Sequence, residues 1–293
     1  MKKIFLPLIC VLVACGCNKE TNNSGQDSGQ IRFNLGYSTK ADRSGFQEGD
    51  VVSLFAVEYI DENTPGPLQI GGNYFNNSAL VKGTSGWSAE TPLYWSDKPC
   101  DFYAWYPYTS INSVDNFLFD IQLDQDATVE GGTMSGYEAS DLMFAKATKV
   151  AREDGEVNLP FKHMMSRCNV VLIKGETFEG EIPDDAVAHI YNTVTSAKVD
   201  FTQGTLQRYA YGTHNTITMN KINNSTFRSI VVPLNVETRT PLIEVTVSGI
   251  SYLLDYSISF KPGCQHTINV TLNVSPDQEK LEIKIDGSVE GWD

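Results

Sequence analysis

The chain has little of what enzymes and metal proteins need. Its four histidines, His163, His189, His214 and His266, have no ligand-type partner at i+3 or i+4, and no C-x-x-C pair occurs, so no zinc box is written here. There is no G-x-S-x-G, no phosphate-binding glycine loop and no dinucleotide fingerprint. These absences predict a protein that is not an enzyme, with no metal and no cofactor. Asp115, Asp120, Asp124 and Asp126 surround a strand-to-loop junction, but not at EF-hand spacing. Clusters of Lys and Arg are missing too. The net charge is −14, which argues against nucleic acid as a partner.

Long apolar runs are also lacking. Only Ile4 to Ala14 is continuously apolar, too short to span a bilayer but suited to a secretory h-region behind Lys2 and Lys3. That run ends Leu12-Val13-Ala14-Cys15, a match to the lipobox of lipoprotein signals. Residues 1–14 are therefore predicted to be a lipoprotein signal peptide, with Cys15 the lipidated residue and Cys17 the alternative. Loss of Lys2 and Lys3 takes the charge from −14 to −16. Attachment to a membrane then rests on acyl chains such as palmitate, each buried methylene contributing about 0.8 kcal/mol. Residues 15–30 are polar from Asn18 onward and read as a flexible tether.

What the remainder contains is β-branched and aromatic residues punctuated by most of the chain's 23 Gly and 12 Pro. An all-β chain follows. Ile31-Arg32-Phe33-Asn34-Leu35-Gly36-Tyr37 alternates as a half-buried strand should. Val51 to Val57 and Cys100 to Tyr108 are apolar nearly throughout, as central strands are. A polar break at Ala151 to Glu156 precedes the long apolar stretch Val157 to Ile173. The reading divides the folded part there, into β-sandwiches at 31–157 and 158–293. Cys100, Cys168 and Cys264 are expected to be buried free thiols. Trp87, Trp95, Trp105, Tyr103, Tyr106 and Tyr108 read as core, with a sugar-stacking platform as the competing use.

The order of several short motifs resembles the fimbrillin (Mfa-like) family, subunits of the type V pili of Bacteroidia. These are the lipobox; Thr39-Lys40-Ala41 and Phe46-Gln47-Glu48-Gly49-Asp50; Leu93-Tyr94-Trp95-Ser96; Asp101 to Tyr108; Ser140-Asp141-Leu142-Met143; Leu159-Pro160-Phe161-Lys162-His163; Phe260-Lys261-Pro262-Gly263; and Trp292. The resemblance implies two tandem transthyretin-like β-sandwiches, export to the outer membrane as a surface-exposed lipoprotein, and incorporation into a fimbria with other pilus subunits. It also implies cleavage by a trypsin-like protease after Lys40, releasing Ala41 as the new end, with Arg43 a second choice. Lys stands where the family more often has Arg.

Such a cut would free the first strand. Ile31, Phe33, Leu35 and Tyr37 together bury roughly 6 to 12 kcal/mol as an upper estimate, at about 1.5 to 3 kcal/mol each, and the emptied slot would accept a strand from a neighbour. Leu281, Ile283 and Ile285 alternate as a candidate donor, though completing the chain's own second sandwich is the simpler use of that segment. The chain stops at Gly291-Trp292-Asp293, whereas stalk subunits carry donor residues beyond this Trp, so a tip or accessory role is expected. A host or bacterial surface ligand, a glycan among the candidates, would then be a partner. The alternative function is a monomeric, glycan-binding outer-membrane surface lipoprotein.

Overall fold

The computed structural model describes residues 29–37, 45–237, 239–274 and 281–292. The first part holds strands β1 (Phe33–Tyr37), β2 (Val51–Glu58), β3 (Phe75–Gly83), β4 (Gly86–Ala89), β5 (Cys100–Tyr106), β6 (Phe117–Asp120), β7 (Met143–Val150) and β8 (Val157–His163). One short helix, α1 (Gly136–Ser140), is started by Ser135, whose hydroxyl accepts from the Glu138 amide while the Glu138 carboxylate reaches back to the Ser135 N–H. The rest of the chain supplies β9 (Ser166–Lys174), β10 (Val187–Val194), β11 (Ser196–Asp200), β12 (Thr205–Arg208), β13 (His214–Thr218), β14 (Asn220–Asn223), β15 (Thr226–Val231), β16 (Asn235–Val236), β17 (Pro241–Val247), β18 (Ile250–Asp255), β19 (Ile258–Ser259), β20 (Cys264–Val274) and β21 (Leu281–Gly291). The protein is all-β.

Seven strands make the first sheet, in the order β1-β8-β7-β5-β2-β3-β4. Its middle strands are apolar because both faces are covered. Val52, Leu54, Ala56, Phe102, Ala104 and Tyr106 point to a core shared with Ile31, Leu35, Val157, Leu159 and Phe161. Phe55, Val57, Tyr103 and Trp105 point the other way, into the larger core of the second part, where Trp105 stacks between Phe55 (4.8 Å) and Phe201 (4.1 Å). That double burial is why no alternation shows in these two strands.

The second part packs a four-stranded sheet, β13-β10-β17-β18, and a five-stranded sheet, β14-β15-β9-β20-β21, around the larger core. β9 alternates cleanly, burying Ser166, Cys168, Val170 and Leu172 and leaving Arg167, Asn169 and Val171 outward. A three-stranded sheet, β12-β11-β6, ties the two parts together, because β6 comes from the first half and β11 from the second.

The break anticipated at 157/158 falls inside β8, after its first residue, and β8 belongs to the first sheet through pairing with β1 and β7. The chain leaves that sheet only at Met164–Met165. The long apolar run concealed two strands, β8 and β9, with a crossing between them. Gly155, at φ +79°, makes the turn that sends the chain back into β8. Cys100, Cys168 and Cys264 are free thiols, and burial pushes the Cys168 thiol up to about 12.

Candidate functional site: the leading strand and its slot

β1 lies parallel to β8, with Phe33 opposite Val157, Leu35 opposite Leu159 and Tyr37 opposite Phe161. In a parallel pair the N–H and C=O of alternate residues face the same neighbour. The Val157 amide donates to the Arg32 carbonyl at 2.9 Å, so the amides of Val157, Leu159 and Phe161 face β1. Pro160, which has no N–H, faces away from it. The proline therefore leaves the β1 side of β8 intact as a ladder.

The other flank of the leading segment is held as well. The Ile31 amide donates to the Leu93 carbonyl at 2.8 Å, and the Trp95 amide to the Gly29 carbonyl at 2.9 Å, an antiparallel bridge centred on Gln30 and Tyr94. The sheet curls until its two edges face each other across this segment, and β1 also touches β4. β1 thus fills a slot between β8 and the stretch that follows β4.

Side chains fill the slot from above. Ile31 is 4% exposed and Leu35 8%; the Phe33 ring meets Phe102 edge-on at 6.3 Å. Its floor is Val157, Leu159 and Phe161, all at 1% or less. Outside, Asn34 donates to the Asn158 side chain at 2.7 Å. The three anticipated residues Ile31, Phe33 and Leu35 are thus brought together in one core; the side chain of Tyr37 lies outside the described residues. Cys15, Cys17, Lys40, Ala41 and Arg43 lie outside them too.

Phe46 completes the site, and strand periodicity did not single it out. Immediately beyond residues 38–44, its ring sits against Trp87 (5.0 Å), Phe161 (5.1 Å) and Tyr106 (5.6 Å), all edge-on. A turn fixes it: the Asp50 carboxylate accepts the Gln47 amide at 2.6 Å, and the Asp50 amide returns to the Gln47 carbonyl at 3.1 Å. Burial raises the Asp50 carboxyl above its usual range. The sequence signal was the Phe46 to Asp50 motif, whose purpose becomes visible only beside β8.

At the other end of the chain, β21 pairs antiparallel with β20 along its whole length, Val274 opposite Leu281 and Cys264 opposite Gly291. Leu281 and Ile283 are placed by that register, and Ile285 packs against the larger core. In this conformation the candidate donor segment completes its own chain's sheet. Trp292 pins the end: its amide donates to the Gly263 carbonyl at 2.9 Å, and its ring stacks on His163 at 3.7 Å. His163 Nδ1 lies 2.8 Å from Asp141 Oδ1, and the Arg167 guanidinium sits 5.7 Å from the Trp292 ring.

The aromatic platform considered as an alternative is not one. Trp105, Tyr103 and Tyr106 are buried, and Trp87 and Trp95 pack on the smaller core, leaving Tyr108 the exposed member. The acidic set is likewise committed: Asp120 accepts from Ser196, Asp124 from the Asp126 and Ala127 amides, and Asp126 from the Lys221 amide. Among the described residues no three His, Cys, Asp or Glu gather as a metal site.

The site is thus the first strand of an all-β body, an edge segment slotted between two sheet margins. The comparisons give the class of protein that carries it. The fimbrillin-like family model matches residues 39–292, and the chain belongs to that family, whose members and structural neighbours are fimbrial or adhesion proteins and not enzymes. A Bacteroides ovatus protein named as a fimbrium tip subunit, Fim1C, is 28% identical over 152 residues, covering 47% of this chain and 26% of its own length. The chain thus matches about a quarter of that relative. Among solved structures, one named as a cell adhesion protein from Bacteroides uniformis covers 90% of this chain and all of its own, with a TM-score of 0.67 at 18% identity. Another from Bacteroides ovatus covers 90% and 96%, with 0.65 at 16%. These two establish a shared fold.

Proposed function

We propose that the protein is a subunit of a cell-surface fimbria, exported as a lipoprotein through Cys15 or, failing that, Cys17, held by its acyl chains in the outer membrane, and assembled by strand exchange after β1 is cut away beyond Lys40 or Arg43. Membership of the fimbrillin-like family supports the fimbrial role, and the similarity to a relative named as a tip subunit favours tip or accessory over stalk. The two parts of the fold are read as tandem transthyretin-like units, the chain passing between them after His163.

One observation carries the assembly mechanism. β8 pairs with β7 only at Met143 to His163 and Phe144 to Lys162, whereas β1 covers it from Val157 to Phe161. Removing β1 strips β8 of most of its ladder and uncovers Val157, Leu159 and Phe161. Unpaired backbone and an apolar floor make an acceptor for an extended strand. The donor is a segment of a neighbouring subunit; Leu281, Ile283 and Ile285 have the alternation for it, but would first have to leave β20.

Limited trypsin digestion of the mature protein tests this. One preferred cut at Lys40 or Arg43 followed by a ladder of oligomers is expected, and Lys40→Ala with Arg43→Ala should abolish both. A chain beginning at Ala41 that stays a folded monomer at high concentration overturns the reading.

A further inference from the structure

We infer that a second site, at one end of the four-stranded sheet, binds acidic saccharides. A cleft of about 300 Å³ is lined there by Arg208, His214, Asn192, Asn235 and Arg239, with Glu237 as its acidic member. Arg208 and Arg239 are exposed, and neither makes an ion pair or side-chain hydrogen bond among the described residues. Two unengaged guanidiniums beside a histidine form a local cationic patch on a chain of net charge −14. Forked N–H donors of this kind recognise carboxylates and other planar anions.

The backbone holds the patch in place. Asn192 and Arg239 have φ of +58° and +61°, conformations that are costly for a residue as large as arginine and that concentrate at working sites. The Asn192 side-chain Nδ2 donates to the Pro241 carbonyl at 2.7 Å, tying the stretch that carries Arg239 to the end of β10. The Val194–His214 pairing fixes the opposite wall.

The turn that joins Arg208 to His214 adds the sugar chemistry. It is tight, with the Gly212 amide donating to the Tyr209 carbonyl at 3.0 Å, and it projects Tyr211 until 86% of its surface meets water. Tyr209 braces it edge-on at 5.8 Å. A large ring presented to water on the turn that joins two of the cleft's lining residues, Arg208 and His214, suits a pyranose face with a carboxylate at its edge.

This inference deepens the adhesive side of the fimbrial reading, and its test uses the uncleaved chain, so failure leaves strand exchange untouched. Titration calorimetry with trigalacturonate and with a neutral galactose trisaccharide should show at least tenfold tighter binding of the acidic one. Arg208→Ala and Arg239→Ala should each weaken it about tenfold, Tyr211→Ala about fivefold, and Tyr211→Phe little; Lys98→Ala, an equal loss of charge elsewhere, should leave it unchanged. All these side chains are exposed, and unaltered thermal unfolding verifies that the variants are folded. Absence of binding, equal affinity for the neutral sugar, an equal effect of Lys98→Ala, or binding of dextran sulfate without trigalacturonate overturns the proposal.

Discussion

The two ends of the chain are both edge strands, and they are held by opposite means. β1 is five residues long, parallel to its partner, and retained by side chains sunk between two sheet margins. β21 is eleven residues long, antiparallel and fully laddered to β20, yet residues 286–291 are exposed; beyond it Trp292 acts as a bolt. A strand secured by burial leaves an apolar void when it goes, whereas one secured by its backbone ladder leaves a solvated edge. The first loss demands a replacement and the second does not.

The sharpest way to break this contrast is Ile31→Ala with Leu35→Ala. At about 2 to 5 kcal/mol for each large-to-Ala change in a core, the pair should remove much of the stability of the first sheet and let protease enter without any cut at residue 40. Denaturant unfolding and proteolysis rates measure it. Trp292→Ala should cost less, about 3 to 5 kcal/mol, and should speed amide exchange in β21 while the protein remains a monomer by light scattering. Should that variant polymerise instead, the distinction between the ends is void.

The smallest effect is one of pH, and it touches one end alone. His266 is fully buried opposite Val289 of β21. Its Nε2 accepts the Lys261 amide at 3.1 Å, and its Nδ1 has no hydrogen-bond partner among the described residues. Burial, with a smaller contribution from Lys261, lowers its pKa below 6.5. A base depressed in the folded state binds fewer protons there than when unfolded, so its stabilisation is complete above pH 6.5 and is lost as pH falls below that value. Protection factors of β21 amides, corrected for the intrinsic pH dependence of exchange, should fall on acidification while those of β1 and β8 hold, and His266→Phe should flatten the response.

Much of the fold was legible because burial leaves a period. The alternation of Ile31 to Tyr37 and the nearly continuous apolar runs of β2 and β5 announced their places. β3 was not legible: Phe75 to Gly83 carries Asn76, Asn77 and Ser78 and buries only Leu80 fully, so its membership rests on backbone pairing with β2 and β4. α1 was missed since five residues are too few for a 3.6 period, although its Ser135 and Glu138 are a readable capping box. The parallel pairings of β1 with β8 and β9 with β20 join segments more than ninety positions apart, and side-chain periodicity carries no record of a partner. For the same reason the slot floor, and the meeting of Arg208 with Arg239, could not be foreseen from spacing.

Phe46 would give the proposed strand exchange a ruler. It occupies the same core as β1 but stands beyond residues 38–44, so the proposed cut at Lys40 or Arg43 would discard Ile31 to Tyr37 and keep the aromatic ring wedged against Phe161. Under that proposal a guest strand would find the cavity closed at that end. How far it could slide, and hence the spacing between successive subunits, would be set by a residue the recipient keeps.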